Sequence, residues 1–86
     1  MTEQTKSVEL YTLSTCPWSR KAKAFLDGKA VVYSYIDYDL ADEHTQSRIQ
    51  EEMLARHAGA FPFVMIADDF IVGYNPEAYA RLLGLE

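Results

Sequence analysis

Eighty-six residues supply one hydrophobic core and no more. A hydrophobic fraction of 49% with 24% charged residues excludes a disordered chain, and thirteen acidic against eight basic side chains, net −5, set it against phosphate backbones and so against nucleic acid. No apolar run approaches the roughly 20 residues of a membrane helix, "MTEQTKSVEL" lacks the regions of a signal peptide, and a single cysteine rules out an internal disulfide. The expectation is a cytoplasmic protein with no membrane partner.

Residues 1–7 are expected to form a flexible tail ahead of a single domain over 8–86. "VELYTL" (8–13) is dense in β-branched, aromatic and leucine side chains and reads as a strand covered on both faces. Pro17 suits the first position of a helix, where its missing N–H costs nothing; Trp18, Ala22, Phe25 and Leu26 then share a face, and Gly28 ends the helix. "VVYSYID" (31–37) reads as a second strand in which the tyrosines, with Tyr38 beyond, pack on the sheet. Asp39 or Asp42 caps a second helix with Ile49, Met53 and Leu54 as its apolar stripe and Gly59 as its exit. "FVMIA" and "FIVG" flank Asp68 and Asp69, the expected two-residue loop of a hairpin. Asn75 as cap, Pro76 at the first helical position and Tyr79, Leu82 and Leu83 on one face describe a last helix. The order β-α-β-α-β-β-α predicts an α/β domain, a four-stranded mixed sheet flanked by three helices.

That topology puts Cys16 at the end of the first strand and the N-cap of the first helix, where open α/β sheets present reactive groups. Unpaired N–H groups of the first turn stabilise a thiolate; Arg20 and Lys21 add to this if their charged ends lie close, and the Ser19 hydroxyl, one turn on, can donate to the sulfur. Pro62 stands at the entrance to the third strand after Phe61, and the 61–62 bond is expected to be cis, offering a backbone edge to an extended peptide. Trp18 is expected as a partly exposed platform beside the thiol. His44 and His57 lie thirteen residues apart, match no metal-ligand spacing with Cys16, and read as solvated surface, so no metal site is expected. Residues 20–29 are basic, whereas 37–52 hold six carboxylates against Arg48 alone.

"STCPWS" after a strand, "FPF" before a hairpin and "VGYNPEAYARLLG" after it resemble, in order and spacing, the glutaredoxins of the thioredoxin superfamily over about residues 8–85. The resemblance implies a thioredoxin fold, thiol–disulfide oxidoreductase activity with Cys16 as nucleophile and Pro62 as the cis proline, and glutathione or a thioredoxin-reductase-type reductant as electron source. It implies Pro17, Trp18, Arg20, Phe61, Pro62, Tyr74 and Asn75 as the surface that binds substrate, including disulfide-containing proteins, on a monomer with no tightly bound cofactor. Dithiol members carry Cys-Pro-x-Cys; here position 19 is serine, either a native monothiol feature or an engineered replacement of a resolving cysteine. Leu13 stands where the family commonly has lysine, and "GYNPE" is similar to small redoxins that accept electrons from thioredoxin reductase. Two other readings remain open: a thioredoxin-fold binding module without turnover, and a glutathione-ligated iron–sulfur carrier.

Overall fold

The computed structural model describes residues 6–85. Its elements run β1 (Val8–Thr12), α1 (Pro17–Gly28), β2 (Ser34–Asp37), a 3₁₀ turn (Tyr38–Leu40), α2 (Glu43–Ala55), β3 (Phe63–Ile66), β4 (Asp69–Val72) and α3 (Pro76–Leu83). The strands form one mixed sheet in the order β2-β1-β3-β4. β1 pairs parallel to β2 and antiparallel to β3, and β3 pairs antiparallel to β4.

Alternation along the central strands builds two cores. Val8 and Leu10 of β1 and Val64 and Ile66 of β3 point to one face and pack with Ala22 and Leu26 of α1 and Tyr79 of α3. Tyr11 and Phe63 point to the other, where Ile49 and Met53 of α2 cover them. Ile49 and Met53 are four residues apart and lie one above the other; Leu54, a further 100° round the helix, is 75% exposed and does not join the expected stripe.

Two boundaries, the exit of α2 and the start of β2, differ from the sequence reading for one shared reason. Each helix closes with the same pair of backbone bonds, the second reaching back five residues: Val31 to Leu26, Ala58 to Met53 and Leu85 to Ala80. The left-handed residue this requires is Ala30 (φ 56), His57 (φ 56) or Gly84 (φ 70); Gly28 is the last helical residue of α1, as expected, and Gly59 lies beyond the exit of α2. Closure of α1 consumes Val31, and β2 starts at Ser34 rather than at 31. Asp42, not Asp39, caps α2 by accepting from the Thr45 N–H at 2.7 Å.

The hairpin loop is Ala67–Asp68, one residue earlier than expected, with Ile66 paired to Asp69. Ala67 takes the left-handed conformation (φ 54) and its N–H bonds the Ser7 carbonyl at 2.9 Å, which holds it outside the ladder. This register sets Phe70 opposite Met65 and brings its ring within 5.5 Å of Phe63. Ser7 is thereby tied to the sheet although it falls in the expected tail, of which residues 1–5 lie outside the described residues, as does Glu86.

Candidate functional site

The registers place the site. Thr12 pairs with Asp37, Tyr11 with Phe63 and Phe63 with Val72, so segments 13–19, 37–40, 60–62 and 73–75 all leave the sheet at one end. Cys16, half-buried, caps α1 in extended conformation (φ −84, ψ 121) with Pro17 at the first helical position. Its side chain makes no cap hydrogen bond. The charged sulfur is favoured, first by the Ser19 N–H and then by the Ser19 hydroxyl and the Trp18 N–H, and together these outweigh burial and hold the thiol below its ordinary value. Arg20 and Lys21 are not among the groups that lower it: the guanidinium lies 3.5 Å from the Ser14 carbonyl and the ammonium sits over the Trp18 ring, 4.6 Å from its centre.

The loop carrying Cys16 is bonded along its length. The Leu13 N–H donates to the Ser19 Oγ at 3.1 Å, and the Cys16 N–H donates to the Leu13 carbonyl at 3.1 Å. The Ser14 N–H and hydroxyl both donate to the Asp39 carboxylate, which pulls that exposed group below the usual carboxylate range. Ser19 is fully buried beneath the loop. Next to it, the buried Thr12 hydroxyl donates to Asp37 at 2.6 Å, and Lys23 meets the same oxygen at 3.1 Å while its ammonium covers the Tyr35 ring.

The Phe61–Pro62 bond is cis. Pro62 is buried, and its carbonyl accepts from the Gly73 N–H at 2.7 Å, joining the proline to the turn after β4. Trp18 is 53% exposed and stacks on Tyr74 at 6.0 Å; Tyr74 in turn meets the edge of Tyr79, whose hydroxyl donates to the Gly73 carbonyl. Phe61 turns the opposite way, onto Tyr38 at 5.4 Å. The Asn75 Oδ1 accepts from the Ala78 N–H at 3.2 Å and caps α3. Cys16, Pro17, Trp18, Arg20, Phe61, Pro62, Tyr74 and Asn75 therefore border one end of the sheet, with Ser19 beneath.

Sequence reasoning missed Asp39 as the anchor of the Cys16 loop and Tyr38 as the partner of Phe61. Both pairings are long-range, and only the run of carboxylates hinted that one of them had a local task. Tyr38 stands in the 3₁₀ turn rather than on the sheet, and Tyr33 lies outside β2. His44 and His57 are both exposed, and among the described residues no three His, Cys, Asp or Glu side chains group as metal ligands. No helix among the described residues is long and apolar enough to cross a membrane.

A mixed four-stranded sheet, three helices, a thiol at the first helix terminus and a cis proline at a strand entrance define a protein of thioredoxin-like fold. The sequence profile of the family Glutaredoxin matches residues 8–71. The chain therefore belongs to the glutaredoxin family. It is 29% identical over 76 residues, 88% of this chain and 96% of the other, to a glutaredoxin-like 8.6 kDa protein of the rubredoxin operon of Clostridium pasteurianum. Methanoredoxin of Methanosarcina acetivorans superposes with a TM-score of 0.81 at 27% identity, covering 91% of this chain and 84% of that one. The glutaredoxin of Archaeoglobus fulgidus superposes at 0.78 with 29% identity, covering 91% and 86%. This membership supports a function of the thiol–disulfide oxidoreductase type.

Proposed function

We propose that the protein exchanges disulfides by a monothiol route in which Cys16 is the nucleophile. The observation that supports this is the half-buried sulfur at the N-terminus of α1, held below its ordinary thiol value by Ser19 and Trp18. The Cys16 thiolate attacks a mixed disulfide; one S–S bond forms as another breaks, and the substrate sulfur leaves as thiolate. With serine at position 19, the adduct on Cys16 is cleared by an external thiolate, which becomes part of a new disulfide and returns Cys16 to its charged form. Glutathione is the co-substrate of this scheme, and a thioredoxin-reductase-type reductant is its substitute. Ser19 favours the thiolate and takes no redox part. Pro17, Trp18, Arg20, Phe61, Pro62, Tyr74 and Asn75 form the rim against which a glutathionyl group or the flank of a disulfide-containing protein lies. The reaction suits a monomer in a reducing cytoplasm.

The test is the intact mass of reduced protein after brief exposure to glutathione disulfide, with the rate followed as pH falls. A single glutathione adduct that still forms rapidly well below the pH of an ordinary thiol is the expected result. Formation only near that pH, or none, defeats the proposal in favour of a binding module.

A further inference from the structure

Beside Phe61, on the side away from Trp18, lies an open groove of about 350 Å³. Its walls are Tyr38 and Phe61, whose rings pack at a tilt, and its floor is Met53, Leu54 and Ala58, with Gln50 as the one hydrogen-bonding side chain of the lining besides the Tyr38 hydroxyl that it engages. Leu54 is 75% exposed there and Leu40, two residues after Tyr38, is 72% exposed. The groove adjoins the thiol loop through two covalent neighbours: Phe61 precedes Pro62, and Asp39, next to Tyr38, holds Ser14. A compact polar ligand needs several convergent polar groups, which this groove lacks; an aliphatic side chain on a chain that continues toward Cys16 needs none.

The charges around it have one sign. Arg48, Glu52 and Arg56 recur every four residues along α2 on the flank of Tyr11 and Phe70, where Glu52 accepts from the Tyr11 hydroxyl and Arg56 covers the Phe70 ring. Glu43, Ser47, Gln50, Glu51 and Leu54 occupy the flank of the groove by the same spacing, and Asp39 and Asp42 stand at its Tyr38 end. All four of these acids are exposed.

We infer that this groove docks the polypeptide flank of a disulfide substrate, an extended segment with an aliphatic side chain and a lysine or arginine near its cysteine. The inference rests on the exchange chemistry proposed above and assigns it a protein substrate class. The apolar contact supplies affinity, and the acidic rim speeds encounter in a way that salt weakens.

The probes are synthetic peptides with one cysteine activated as its thionitrobenzoate mixed disulfide, so that attack by the Cys16 thiolate at the peptide sulfur expels one coloured thiolate per bond formed. One peptide carries leucine and lysine on both sides of the cysteine, a second has glutamate for lysine and a third serine for leucine. The mixed disulfide of 2-mercaptoethanol is the small reference. The first peptide is expected to react about tenfold faster than the third, the worth of partly burying one leucine, and faster than the second by a margin that shrinks with salt. Leu54→Asn removes the leucine advantage and Glu43→Gln with Glu51→Gln reduces the lysine advantage, while both variants keep the wild-type rate on the small reference. Equal rates on the three peptides beside a rapid small-disulfide reaction overturn the docking inference alone. No reaction with any probe defeats the exchange chemistry and the docking with it.

Discussion

Ser19→Ala separates the two tasks the structure gives a fully buried hydroxyl. The Ser19 Oγ accepts the Leu13 N–H at 3.1 Å, and its proton side favours the charged Cys16 sulfur. Alanine leaves the Leu13 N–H without that partner in a partly buried position, which costs about 1–2 kcal/mol. In a domain of this size such a loss lowers the melting temperature by about 4–16 °C. Thermal unfolding of the reduced proteins, at a pH where the thiol is neutral in both, reads this cost cleanly. The second effect is on the thiol, which titrates at higher pH in the variant because one of the groups lowering it is gone. Exchange with glutathione disulfide then slows near neutrality, where the rate follows the thiolate fraction, and matches or exceeds wild type at alkaline pH, where the more basic thiolate is the better nucleophile. A rate reduced by one factor at every pH, with thiolate absorbance titrating as in wild type, would refute the role assigned to Ser19.

Cys16→Ser abolishes the glutathione adduct seen by mass spectrometry and leaves the melting temperature at or above that of the reduced wild type, since a serine hydroxyl suits this cap better than a neutral thiol. Asp39→Ala speeds amide hydrogen exchange at Ser14 and slows reaction at Cys16. Because the folded-state value of Asp39 is depressed, its anchoring is complete above the ordinary carboxylate range and is lost as pH falls through the folded value, so wild type approaches the variant only in acid. Ala30→Gly relieves a left-handed residue (φ 56) at the end of α1 and stabilises the fold by about 0.5–1 kcal/mol, read by urea unfolding; a loss of stability would show that the turn is not left-handed there.

Much of this site is written locally. The cap position of Cys16, the helix start at Pro17 and the asparagine cap of α3 each depend on residues within one turn, and the structure has them as the sequence suggests. The element order follows equally from runs of β-branched and aromatic residues broken by helical spacing, because burial on one face or two leaves its period in the chain. The exit of α2 was misread for an instructive reason: the closing bonds dictate a left-handed residue, and His57 accepts that conformation although Gly59 lay close by. The hairpin loop shifted because ring contacts between strands, Phe70 against Phe63, outweigh the turn preference of an aspartate pair.

By itself, then, the sequence determined the α/β class and a lone thiol at a helix N-terminus, since each follows from neighbours along the chain. Only the tertiary structure decided that Ser19 is buried under the loop, that Asp39 anchors the loop at Ser14, and that Tyr38 meets Phe61. The Ser14–Asp39 and Tyr38–Phe61 contacts join residues more than twenty positions apart, and the pairing of β1 with β2 and β3 brings them to one edge.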